Sequence, residues 1–115
     1  MKRVLALALT ASMLMAVPTY ARAKSLGVFK ITYYCPCRKC SGNWGRKTAS
    51  GATCSEGRTV AVDKRVIPLG THLVIDGKEY IAEDTGVTGR SVDVYLESHQ
   101  ECLERGVDYL EVFQR

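Results

Sequence analysis

Beyond residue 23 the chain has no apolar run of the roughly 20 residues needed to cross a bilayer. It also has little excess of either charge. Three of its 16 cations, Lys2, Arg3 and Arg22, precede residue 24, and none of its 12 acids does. The remainder is close to neutral and lacks the basic stripe that nucleic-acid binding requires. No glycine-rich loop follows a strand pattern, so nothing implies a nucleotide cofactor. Internal repeats, low-complexity stretches and a dividing linker are missing as well. These absences leave one domain with a modest core.

The N-terminus carries an export pattern. Met1-Lys2-Arg3 is cationic, and Val4 to Val17 is apolar apart from Thr10 and Ser12. Pro18-Thr19-Tyr20 then leads to Ala21-Arg22-Ala23, small residues framing a cut. This order predicts a signal peptide over 1–23 and an exported domain over 24–115. No cysteine stands at the cut, so no lipid anchor is expected, and no stable membrane anchor remains after processing.

Export permits disulfides. The five cysteines are Cys35, Cys37, Cys40, Cys54 and Cys102. An odd count leaves one thiol free, bound to a metal or paired with another chain. Cys35-x-Cys37-x2-Cys40 with Cys54 has some zinc-site character, because four thiolates close a tetrahedron. The usual pair of separated C-x2-C motifs is absent, so a loop staple with a spare thiol is preferred and no metal is expected. Neither His72 nor His99 stands in a motif that would make a cysteine a nucleophile, and both are expected at the surface.

Most of the chain alternates with a period of two, the mark of half-buried strands. Strands are predicted at 27–34, 59–62, 71–75, 78–83, 91–96 and 107–113. Asp76-Gly77 predicts a type I′ hairpin turn, since both residues tolerate the positive φ it needs. Ser98 with Glu101 forms a capping box for one short helix, which Gly106 stops. The loop at 35–57 is long enough to suggest function. Short strands with one helix point to a compact, mainly β barrel.

Three aspartates fall at or near strand ends: Asp63, Asp84 and Asp93. Alternation puts Val92, Val94 and Leu96 on one face and Asp93 with Tyr95 on the other. A carboxylate between β-branched neighbours adds nothing to strand propensity. Partly buried beside a second carboxylate, it would hold its proton near neutral pH and act as an acid. Asp at strand ends is also an ordinary turn former or surface charge.

Val60-Ala61-Val62-Asp63, Val66-Ile67-Pro68-Leu69-Gly70-Thr71, Ala82-Glu83-Asp84-Thr85-Gly86 and Val92-Asp93-Val94-Tyr95 occur in this order. Together they resemble the three-aspartate, or 3D, domain of Gram-positive cell-wall proteins, from Thr32 to Phe113. The resemblance implies a six-stranded double-psi β-barrel related to the catalytic domain of membrane-bound lytic transglycosylase A. It implies a secreted enzyme of the extracellular space or cell wall whose partner is the peptidoglycan glycan strand. Such enzymes cut the β-1,4 bond between N-acetylmuramic acid and N-acetylglucosamine without water, leaving a 1,6-anhydromuramic end. By motif, Asp93 is the acid, Asp84 tunes it and binds sugar hydroxyls, and Asp63 supports them. Thr85 and Gly86 shape the intervening loop.

The family usually reads Asp-Thr-Gly-Gly-Ala-Ile-Lys-Gly before its last motif. Here it reads Asp84-Thr85-Gly86-Val87-Thr88-Gly89-Arg90, the segment from Asp84 to Asp93 is two residues shorter, and Arg90 is the expected replacement for the missing lysine as a contact for the muramyl carboxyl or peptide. Trp44, Tyr33 and Tyr34 are candidates to stack on sugar rings, although a tyrosine on a first strand also suits the core or the barrel rim. The cations Arg38, Lys39, Arg46 and Lys47 suit either an anionic wall polymer or plain solvation. The alternative on the same fold is a non-catalytic, expansin-like carbohydrate-binding barrel. Asp84-Thr85-Gly86 is also the triplet of aspartic proteases, but Glu83 occupies the place where those subunits carry an apolar residue.

Overall fold

The alternation seen in the sequence becomes six strands. In the computed structural model, which describes residues 23–115, these are β1 (Lys24–Tyr34), β2 (Thr59–Val62), β3 (His72–Ile75), β4 (Lys78–Asp84), β5 (Ser91–Tyr95) and β6 (Asp108–Gln114). The expected signal peptide lies outside the described residues except for Ala23. No helix among the described residues is long and apolar enough to cross a membrane.

The strands close into a barrel in the order β1-β5-β2-β4-β3-β6, sealed where β6 pairs with β1. Pairs β1–β5 and β2–β4 are parallel, and the other four are antiparallel. This is the expected double-psi barrel. The β3–β4 hairpin turns at Asp76 and Gly77, whose φ angles of 52° and 73° are the positive pair that a type I′ turn requires.

Every second residue points inward. Phe29 and Ile31, Val60 and Val62, Leu73 and Ile75, Tyr80 and Ala82, Val92 and Val94, and Val112 fill the barrel with Ile67. Each fully buried aliphatic side chain contributes about 1.5–3 kcal/mol of apolar burial. The same alternation turns Thr32, Tyr34, Ala61, Asp93 and Tyr95 away from that core. There Tyr34, Cys54, Ala61 and Tyr95 form a second cluster. The Tyr34 and Tyr95 rings meet edge to face, 5.3 Å apart at 76°.

The long loop after β1 lies against this second face. The Cys54 amide donates to the Arg46 carbonyl, Lys47 bridges Thr53, and the Ser50 amide donates to the Glu83 carbonyl. The loop opens with α1 (Arg38–Ser41), a single turn with no side-chain cap, which the sequence pattern did not reveal. The expected helix is α2 (His99–Arg105), with Ser98 Oγ accepting from the Glu101 amide.

Candidate active site

The strand registers bring two of the three aspartates together. Thr32 on β1 pairs with Asp93 on β5, Asp93 pairs with Ala61 on β2, and Ala61 pairs with Asp84 on β4. The last pairing depends on a β-bulge, because the register shifts between Val60 and Ala61. Unshifted alternation would set Glu83 opposite Ala61, whereas the bulge sets Asp84 there. Glu83 turns instead to the Arg58 guanidinium and the Thr59 hydroxyl. Ala61 thus forms a low floor between two carboxylates.

Their environments differ. Asp84 Oδ1 accepts from the amides of Ala49 (3.0 Å) and Thr85 (2.9 Å), and its Oδ2 accepts from the Tyr34 hydroxyl (3.1 Å). Asp93 accepts a single side-chain hydrogen bond, from Thr32 Oγ1 at 3.0 Å. Burial is the main force on the Asp93 carboxyl and pushes it up to about 6. The Thr32 hydrogen bond works against this rise, and the charge on Asp84 adds to it. A carboxylic acid of that strength holds enough proton near neutral pH to serve as a general acid.

Asp84 and Asp93 open into a groove of about 320 Å³ whose walls include Tyr34, Lys47, Ala61, Thr85, Gly86 and Trp44. Trp44 is 64% exposed, with its ring available at the rim. Of the sequence candidates, the groove therefore gathers Asp93, Asp84, Thr85, Gly86 and Trp44.

Three candidates sit elsewhere. Asp63 is buried at the end of β2, and its carboxylate takes a two-pronged ion pair from Arg65 at 3.0 and 3.1 Å. It also accepts from the Gly89 amide at 2.9 Å. The Arg65 guanidinium, the Gly89 amide and the Arg65 amide hold it well below the usual carboxylate range. Its work is to tie the β2 end to the loop before β5. Arg90 packs over the Phe29 ring, 4.6 Å from its centroid, and donates to the carbonyls of Leu26 and Val28. Tyr33 donates to Asp108 at 3.0 Å and lies under the Arg105 guanidinium, 4.7 Å away. Neither Arg90 nor Tyr33 lines the groove.

Tyr34, Lys47 and Ala61 take part where the sequence offered only weak signals. Tyr34 follows Tyr33 on an alternating strand, so one of the two had to face the groove. Lys47 was one charge among four. The cysteines also differ from expectation, because all five are free thiols. Cys54 lies by the Tyr34 hydroxyl, 3.7 Å away, and is not among the other loop cysteines. His99, expected at the surface, points Nδ1 at those cysteines.

The 3D domain family model matches residues 58–114. YabE of Bacillus subtilis (strain 168), named for cell wall shaping, is 36% identical over 89 residues, which are 72% of this chain and 21% of YabE. The crystal structure of MltA from E. coli is 25% identical with a TM-score of 0.51, over 59% of this chain and 26% of MltA. MltA with bound chitohexaose shares the fold at 23% identity and a TM-score of 0.52. The chain thus spans about a fifth of YabE and a quarter of MltA. On the aspartate motifs, the closed barrel and these matches, the chain belongs to the 3D domain family, and its barrel is related to that of the lytic transglycosylase MltA.

Proposed function

We propose that this protein is an exported lytic transglycosylase that cuts peptidoglycan between N-acetylmuramic acid and N-acetylglucosamine. The observation that carries the reading is Asp93, raised to about 6 in a groove shared with Asp84. Asp93 gives its proton to the glycosidic oxygen as the C1–O bond breaks. The resulting Asp93 carboxylate takes the proton of the muramyl C6 hydroxyl, whose oxygen bonds to C1. The product is a 1,6-anhydro ring, and no water is consumed. Asp84 stays beside the reacting carbon, where its charge favours the positive character that develops on the sugar.

Lys47 and Trp44 supply binding. Lys47 lines the groove, so it takes the part expected of Arg90 as a contact for the muramyl carboxyl. Trp44 offers an exposed ring to a sugar face. Support for the substrate class comes from the chitohexaose held by an MltA structure and from the name of YabE. The same relatives support a place in the cell envelope.

The test is to incubate the purified protein with cell-wall sacculi and examine the soluble fraction by mass spectrometry. The proposal expects anhydromuropeptides from the wild type, and a loss of about 100-fold or more in Asp93→Asn. Sacculi that retain the protein yet release no fragments would favour a carbohydrate-binding barrel instead. Product undiminished in Asp93→Asn would remove the assigned acid.

A further inference from the structure

The start of the long loop holds a second constellation that the glycan chemistry does not use. The sulfurs of Cys35, Cys37 and Cys40 stand 3.6, 3.4 and 3.4 Å from His99 Nδ1. All four ligand atoms lie within 4.8 Å of one another. Hydrogen bonding does not account for this convergence. Nδ1 carries either one lone pair or one proton, so it satisfies one thiol and not three.

A cation at the centre satisfies all four at once. Tetrahedral zinc has Zn–S of about 2.3 Å and Zn–N of about 2.0–2.1 Å, which places sulfur and nitrogen about 3.6 Å apart along each edge. The observed separations agree with that edge. Three thiolates and an imidazole are also the donor set that selects zinc among divalent ions. We propose that Cys35, Cys37, Cys40 and His99 bind a structural zinc ion.

The surroundings suit such an ion. The Ser41 hydroxyl donates to the Cys35 carbonyl at 2.7 Å and fixes the turn of α1 between the ligands. His99 sits in the first turn of α2, which the Ser98 cap holds in place. On binding, the three thiols release their protons to solvent. Four protein ligands leave no open position, so the ion is structural and not catalytic. It joins the loop to α2 and braces the segment that carries Cys40, Ser41 and Trp44 along the groove.

The test measures metal and does not depend on glycan cleavage. The full chain, purified under reducing conditions from zinc-supplemented medium, is analysed by elemental mass spectrometry. About one zinc per chain is expected. Replacement by cobalt(II) should give the intense visible bands of a tetrahedral thiolate site. Cys40→Ser and His99→Ala should lose the metal, whereas Cys54→Ser and Cys102→Ser should keep it. Should His99→Ala fail to fold, His99→Cys restores a fourth soft ligand and should retain zinc. Negligible zinc in the wild type, retention in both Cys40→Ser and His99→Ala, or a disulfide among the three cysteines on peptide mapping would overturn the site.

Discussion

Asp93 stands where a strand gains nothing from a carboxylate, and its burial has a measurable consequence for stability. The folded protein binds this proton more tightly than the unfolded chain, whose carboxyl titrates near 3.8. Stability therefore falls as pH rises from about 4 to about 6, and the cost is fully present above that range. Two pH units correspond to roughly 3 kcal/mol at most. Asp93→Asn, which still accepts from Thr32, should melt above the wild type at pH 8 while losing activity. The gap in melting temperature should vanish below about pH 4. A variant that melts lower at pH 8 would mean the carboxylate is not strained. At this scale the sequence was informative in part. Alternation alone placed Asp93 away from the valines. Asp63, expected as a supporting group, is held by Arg65, which lies only two residues along the chain.

At the scale of elements, one irregularity shapes the site and another the barrel seam. The β4 bulge that sets Asp84 opposite Ala61 leaves no trace in an alternating pattern, because it depends on what β2 pairs with. The second is the bend in β1, where the register shifts between Ser25 and Gly27. Gly27 has a φ of 97°, and a β-carbon there would collide with the Arg90 guanidinium. That close approach lets Arg90 reach the carbonyls on either side and cover Phe29, so its charge serves the barrel seam. Gly27→Ala should cost about 1–3 kcal/mol, read as a lower midpoint in urea, by combining backbone strain with displacement of Arg90. An unchanged midpoint would show that β1 adjusts freely. The hairpin at Asp76-Gly77 and the cap at Ser98 were legible because their signals are local. The join between Cys40 and His99 spans 59 residues of sequence, and no local pattern reports it.

At the scale of the whole molecule, the barrel is a small scaffold with one long loop folded over the face that carries Asp84 and Asp93. Cys40, Ser41, Trp44, Lys47 and Ala49 of that loop line the groove, so the placement of the loop matters. Trp44 is the sole tryptophan of the chain and lies on the loop between the cysteine cluster and the groove. Chelation of a bound zinc should shift its emission, and added zinc should restore it. Emission that ignores both would show that the cluster does not hold the groove wall.

Acid chemistry in the groove depends on the proton at Asp93. Its side-chain carboxyl carbon can be followed by NMR across the pH range in the intact protein. A midpoint near 6, which drops when Asp84→Asn removes the neighbouring charge, is the predicted result. A midpoint near 4, the ordinary value for an aspartate, would contradict it.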